Sequence, residues 1–452
     1  MSMSSTDGNM PTIPLNDNTV RKVVAQPTAR SNQWHNWSGY QQAHPQVILQ
    51  PSSVDQLAAM IRQQHKCRVV GAGHSFSPLV CTDDSLISLD HLVGLVSHNA
   101  QLCQSTLLAG TRLHQLDQYL EPINQALMNQ GDIDRQSVAG AISTGTHGTG
   151  HKLPCLSAFV EGFELVTANG DILWCDPSQH SDIFKAGRVA LGSFGVLSKI
   201  TMQNMPRYAL KEQVNLVPVQ DVLSHMDQWK TEHRHIEALV FVYASDAIVK
   251  TLNSSTNPIS PRKEPWPSDD MVLTICSEIT RQFPAMNPHL QKLLGVFVKP
   301  TTFVDWSSKI FPTPRKTRFN EMEYQIPAAQ GLACLEEVIS TLRKHTAPVF
   351  FPLEYRYVKG DDIWLSPFYQ QDSASISIHQ YHKQDCQQIF KLVEPIFQKY
   401  QGRPHWGKMH TMGASQLQAL YPHWEDFMQL RAQLDPQQKW LNSHLQHVFL
   451  TK

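Results

Sequence analysis

The sequence predicts an α+β fold of two domains, and three observations carry that expectation. At 452 residues the chain exceeds one ordinary core. Up to Pro206 it alternates short apolar runs with few helical patterns, opening on a β-α-β unit. Beyond Pro206 the texture changes to longer amphipathic stretches and a proline-rich segment.

Taken in order, residues 1–33 are polar and read as a flexible leader, and Trp34 opens the folded part. "QVILQP" (46–51) reads as a strand ending at Pro51. Ser53 followed by Gln56 fits a capping box, and Leu57, Ala58 and Ile61 share one face of the helix behind it. "CRVV" (67–70), "SLISL" (85–89) and "STLLAG" (105–110) are strands, and Thr111 is placed to cap a helix carrying Leu113, Leu116 and Leu120. Residues 163–175 form a hairpin, with Asn169-Gly170 as a type I′ turn signal. "GVLSKITM" (195–202) closes the series. Farther on, 254–267 is an exposed loop, 328–345 and 385–400 are helices, and 374–382 alternates like a half-buried strand. The domains expected are 34–206 and 207–405, with 406–452 a C-terminal segment.

Composition excludes several function classes. The chain is 41% apolar and 17% charged with a net charge of −1, a balance that offers no overall field for nucleic acid or an anionic membrane. Eight scattered cysteines lack any C-x-x-C pair and read as free thiols of a reducing compartment. The start of the chain has no secretory signal, and no apolar run reaches the ~18 residues of a membrane span. A cytoplasmic protein is expected, with attachment to a membrane surface left open.

Two glycine-rich stretches carry the chemistry. "VVGAGHSFSP" (69–78) has Gly71 and Gly73 behind a strand, but Phe76 stands at the third glycine position of a Rossmann fingerprint and Pro78 follows instead of a helix. The turn is then a phosphate cradle of successive N–H groups or merely a tight turn. "GDIDRQSVAGAISTGTHGTG" (131–150) adds five glycines and, from Ser137 on, five hydroxyls around His147. No helix or strand face calls for that composition, whereas a backbone that must approach a ligand closely does. Two donor-rich loops suit a long diphosphate.

With "ALGSFGVLSKIT" (190–201), "EYR" (354–356) and "HWGK" (405–408), these stretches resemble the vanillyl-alcohol-oxidase, or PCMH-type, flavoprotein superfamily. Within it the chain is similar to the branch of sugar-lactone and alditol oxidases, which includes L-gulonolactone and D-arabinonolactone oxidases. The resemblance implies a PCMH-type FAD-binding domain, rejoined by the C-terminal segment, and an α+β substrate-binding cap. It implies that Val69, Val70, Gly71, Ala72, Gly73 and Ser75 wrap the FAD diphosphate. Ser137, Gly140, Thr144, Gly145, Thr146 and His147 would line its other side, and Val196 would hold the adenine end. His74 matches the histidine that many members bond covalently to the flavin, a role open to a neutral imidazole.

On the substrate side, Glu354 and Arg356 are two apart and share a strand face, as do His379 and Tyr381. Read alone, Glu354 and Arg356 are a substrate grip or a structural ion pair, His379 is a ligand or a core histidine, and Lys408 is a solvated lysine or a catalytic one. The resemblance implies substrate and catalytic roles for Glu354, Arg356, His379 and Lys408, with Tyr381 beside the substrate. It also places Gly131 and Asp132 at the flavin's reactive edge. There Gly131 leaves room for O2, and Asp132 replaces a serine common in relatives, as a carboxylate or as an acid kept protonated by burial. The histidines match no standard metal spacing, so no metal is expected. The activity implied is oxidation of a sugar lactone or polyol CH–OH group, by hydride transfer to flavin N5, with O2 as acceptor and H2O2 as coproduct. The alternatives are the same chemistry as a dehydrogenase with an electron carrier, or a nucleotide-binding protein without catalysis.

Overall fold

The computed structural model describes residues 32–263, 266–313 and 315–450. The expected leader falls on residues 1–33, of which all but the last two lie outside that range. Strand Val47–Leu49, helix Val54–Arg62 and strand Cys67–Val70 form the opening unit, and both strands pair in parallel with Ser85–Ser88. Ser53 caps the helix by accepting from the Gln56 N–H, but the Gln56 side chain reaches the N–H of Ser52, one residue earlier than a capping box requires. Leu57, Ala58 and Ile61 are the buried face.

A second, antiparallel sheet is built around the long strand Val196–Pro206, flanked by Val160–Val166 and Gln104–Leu108. The hairpin Val160–Cys175 is present, but only Gly170 lies in the left-handed region, at φ +78°. The turn is therefore not type I′, which needs both central residues there. Thr111 does not cap the next helix. Its hydroxyl donates to Leu108 O and accepts from Gly94 N, leaving Arg112 at the start of the helical turns that bury Leu113, Leu116 and Leu120.

Among the described residues the largest sheet has eight antiparallel strands and gathers residues 209–404. Its central order is His235–Val240, Leu353–Val358, Ser373–Tyr381, Phe319–Pro327. Ser373–Tyr381 is buried at all nine positions, not half-buried as its alternation suggests. The reason is that both faces are covered. The apolar set Ile376 and Ile378, with Met322, Tyr324, Tyr355 and Tyr357 from neighbouring strands, joins the core with helices Gly331–Lys344 and Gln387–Lys399. The opposite face is polar and also closed off.

The C-terminal residues return to the first sheet. Cys67 N donates to Lys439 O, Arg68 Nη1 to Trp440 O at 2.6 Å, and Lys439 Nζ to Ile61 O and Ala168 O. The eight cysteines are free. No helix of the described residues is long and apolar enough to cross a membrane.

Candidate active site

The glycine turn opens a cleft against the residues that follow Ser137. The stretch 131–150 is not loop throughout, as its composition suggests: Val138–Ser143 is a short helix, with Ser137 Oγ accepting from the Gly140 N–H at 3.1 Å. Small residues are required here because the main chain leaves no room for a Cβ. A Cβ on Gly71 would collide with Ser137 Oγ, and one on Gly195 would collide with Val166 O. Val69, Gly71, Ala72, Gly73, His74, Ser75, Ser137, Gly140, Thr144 and Val196 all line this cleft. Val70, Gly131, Asp132, Gly145, Thr146 and His147 do not.

The lining contains no carboxylate. Its guanidinium, that of Arg68, is consumed by the carbonyls of Leu79, Leu191, Gly192 and Trp440, so it braces the walls. What remains for an anion is N–H and hydroxyl donors, the donor set that suits a diphosphate. The residues present therefore fit a dinucleotide cofactor. His74 stacks on Trp37 at 5.4 Å. Burial, then the nearby charges of Lys408, Arg112 and Arg135, push its imidazole down to about 4, so it is neutral near pH 7.

The second part of the site is the polar face of the eight-stranded sheet. Register puts Glu321 opposite His379, Glu323 opposite Ser377, Ser375 opposite Arg356, and Arg356 opposite Glu237. Directly paired residues point to one side, so these side chains share a face. Charges on it are paired throughout. Arg356 bonds Glu237 and Glu354, each at 2.8 Å, Lys250 also reaches Glu237, and Arg315 bonds Asp132 at 3.1 Å. Lys408 Nζ contacts Glu321 and stands 3.9 Å from Glu323, while His379 Nε2 lies 3.4 Å from Glu321. Tyr381 donates to Glu278.

These partners set the protonation states. Burial alone would raise Glu321, but Lys408 and His379 outweigh it and hold the carboxyl at about 2. Burial would lower His379, but Glu321 and Glu354 raise it. For Asp132 burial is again outweighed, by Arg315 and Lys250, and its carboxyl falls below the ordinary value. The option of a protonated Asp132 is thereby corrected: it is a carboxylate, and its Oδ1 is buried without a partner.

The two parts meet at "HWGK". Phe76 N donates to Gly407 O at 2.7 Å and Ser77 Oγ to Trp406 O, while on the other flank His405 N donates to Glu323 O and Met409 N to Glu321 O. Lys408 is thus held between the glycine turn and the polar face. Gly131 packs against His147, whose Nε2 lies 2.6 Å from Glu323. His147, Glu323 and His405 have the closeness of metal ligands. Glu323, however, already accepts from Gln325, Ser375 and Ser377 as well as facing His147, and the Lys408 ammonium stands beside it. That donor set holds a carboxylate, not a cation.

Sequence reasoning passed over Glu237, Lys250, Arg315, Glu321 and Glu323. The signal for two of them was present in "FNEMEYQIP", where Glu321, Glu323 and Gln325 alternate with Met322, Tyr324 and Ile326. Buried glutamates are rare enough that such alternation reads as an exposed strand.

A family profile described as D-arabinono-1,4-lactone oxidase matches residues 200–448. This chain belongs to that family. A profile described as an FAD-binding domain matches residues 45–176. The L-gulono-1,4-lactone dehydrogenase of Mycobacterium tuberculosis is 35% identical over 426 residues, covering 92% of this chain and 98% of that one. The L-gulonolactone oxidase of Mus musculus is 30% identical over 433 residues, with the same coverage. Among solved structures, cholesterol oxidase from B. sterolicum superposes with a TM-score of 0.78 at 15% identity, over 93% of this chain and 97% of that one, which shows a shared fold. The family member is accordingly an FAD-dependent oxidoreductase acting on CH–OH donors, with a PCMH-type α+β fold, and the non-catalytic reading falls away.

Proposed function

We propose that the protein oxidises a CH–OH group of an aldono-1,4-lactone, or of a related polyol, with FAD bonded covalently to His74 and O2 as acceptor giving H2O2. The observation that carries this reading is the seating of Gly407 and Lys408 between the glycine turn and a buried polar face. In this reading residues 34–206 and 406–452 form the cofactor half and 207–405 the substrate cap.

When bound, the flavin would supply the acceptor for the hydride, and with it the two electrons, lost by carbon. The chain's own residues bind and orient. Asp132 Oδ1, buried and unpartnered, and Glu354 accept from substrate hydroxyls. Arg356 and Lys408 put positive charge beside the oxygen whose proton leaves, and charge stabilisation of this kind is worth most in a closed site. His379, held through both ring nitrogens by Glu321 and Pro352 O, adds a further positive group to this face, with Tyr381 on the same strand face. The neutral imidazole of His74 has the lone pair that a covalent tether needs.

A second reading, electrons passed to a carrier instead of O2, is favoured by the M. tuberculosis relative, which is named a dehydrogenase. Aerobic turnover of aldono-1,4-lactones and alditols, with peroxide measured against substrate consumed, decides between them. Peroxide in step with substrate supports the oxidase. Turnover that needs an added dye or quinone supports the dehydrogenase, and no turnover on any lactone or polyol defeats both. For the tether, acid-precipitated protein should stay yellow, and His74→Ala should release its flavin to the supernatant.

A further inference from the structure

We propose that Trp37 is a positioning residue for His74, its indole setting the plane of the imidazole that bonds the flavin. The inference rests on the His74 tether proposed above and assigns that tether a second residue.

The strands Trp34–His35 and Gln42–Ala43 pair antiparallel into a short ribbon ahead of the first sheet. This ribbon grips the glycine turn on both sides of His74. Trp37 N donates to Gly73 O at 2.8 Å, Asn36 Nδ2 to Ser75 O at 2.9 Å, and Gln41 Nε2 to Phe76 O at 2.8 Å. Asn36 is buried, and its Oδ1 closes the ribbon's own turn by accepting from Ser38 Oγ and Gln41 N. Three carbonyls around His74 are therefore fixed from one short segment, and its backbone with them.

The ring needs a separate hold. The second side-chain torsion of histidine is broad, so a fixed backbone still leaves the imidazole plane free to swing. Among the described residues no hydrogen bond reaches either ring nitrogen of His74. What bears on its plane is Trp37, stacked at 5.4 Å with 22° between the rings. The indole is itself locked edge-on, against Phe76 at 6.3 Å and Phe319 at 5.2 Å. Stacking grips an imidazole by its face and leaves its nitrogens open, whereas a donor on the lone pair would occupy the nucleophile.

In the tethering step a ring nitrogen's lone pair bonds the flavin 8α carbon. One 8α C–H bond breaks, and the other ring nitrogen releases its proton. The two C–H electrons stay on the flavin, which is left reduced. O2 then takes those two electrons and two protons, giving H2O2. Orientation of the ring enters the rate of this step directly.

The test follows tethering itself. Full-length apoprotein from riboflavin-starved cells is mixed with FAD, and the flavin fluorescence kept by acid-precipitated protein is measured over time. Trp37→Leu should tether about tenfold more slowly than wild type, the factor by which an aromatic pair biases a ring's orientation. Trp37→Phe, which keeps a ring, should stay within about threefold of wild type. Both variants retain the main-chain N–H that holds Gly73. In a His74→Ala background, adding Trp37→Leu should leave FAD affinity unchanged, because a residue acting through His74 then has nothing to orient.

Equal rates for wild type and Trp37→Leu overturn the proposal while sparing the tether. Trp37→Phe as slow as Trp37→Leu does the same, since a ring would then not be what matters. Loss of FAD affinity on adding Trp37→Leu to His74→Ala, or a Trp37→Leu protein that binds no FAD, makes Trp37 a packing residue and also overturns it. Flavin that wild type releases on acid precipitation defeats the tether itself, and this proposal with it.

Discussion

The cleft and the polar face solve the problem of binding with opposite materials. The cleft is made largely of backbone: Gly71 brings main chain against the Ser137 hydroxyl and Gly195 against the Val166 carbonyl, and its lining carries no carboxylate. The polar face is made of side chains, with Glu237, Glu321, Glu323, Glu354, Arg356, Lys250 and Lys408 buried or half-buried in mutual pairs. A backbone site fails when atoms are added to it. A paired site fails when one partner is removed, because the other is left charged and dry.

The sharpest break in that comparison is Arg356→Leu. It strands Glu354 and leaves Glu237 to Lys250 alone, so urea unfolding should show a loss of about 3 kcal/mol, and flavin reduction should slow by roughly 10²-fold or more. Stability within ~1 kcal/mol of wild type would mean that the pairs are not the support described. The cleft answers to the reverse change. Gly71→Ala forces the turn away from Ser137, and in a His74→Ala background FAD affinity should drop about tenfold, as expected for an overpacked contact costing 1–3 kcal/mol. Titration of FAD fluorescence measures it, and unchanged affinity would show that the turn can shift freely.

Acid separates the two regions further. His74 and His405 are held near 4, below their ordinary 6.5, so their contribution to stability is complete above pH 6.5 and erodes as pH falls to 4. Glu321, at about 2 against 4.5, adds a second loss only below pH 4.5. His379 has the opposite sign: its raised value makes its contribution complete below 6.5 and lost as pH rises through the folded value. Denaturation midpoints should fall in two stages on acidification, and Glu321→Gln should shrink the lower one, which Asp132, Glu237 and Glu323 share. A midpoint that is flat from pH 6.5 to 4 would contradict the buried neutral histidines. The smallest effect is remote from both regions: Ser53→Ala removes a helix cap and should cost about 1 kcal/mol in thermal unfolding without changing FAD affinity.

The same contrast explains what was legible in the sequence. A backbone site announces itself, because only glycine and small hydroxyl residues tolerate such approach, and the cleft lining follows the quoted motifs closely. The polar face was half visible. Glu354, Arg356, His379 and Lys408 came from motifs, but Glu237, the partner of Arg356, and Lys250 beside it come from strands far apart in sequence, joined only by register. Local errors had local causes. Ser373–Tyr381 alternates as if one face met water, yet that face is closed by the rest of the molecule. Ser137 reads as loop until its cap on Gly140 is seen.

The return of the C-terminal residues to the first sheet bears on the order of events during synthesis. Arg68 finds its carbonyl on Trp440, 372 positions later, and the strand that leads into the glycine turn is edged by Lys439. A nascent chain carries the turn long before the residues that brace it have left the ribosome. The bracing of the cleft wall is therefore completed only after residues 439 and 440 have emerged, and a truncation that begins at Lys439 removes that brace while leaving every cleft glycine in place.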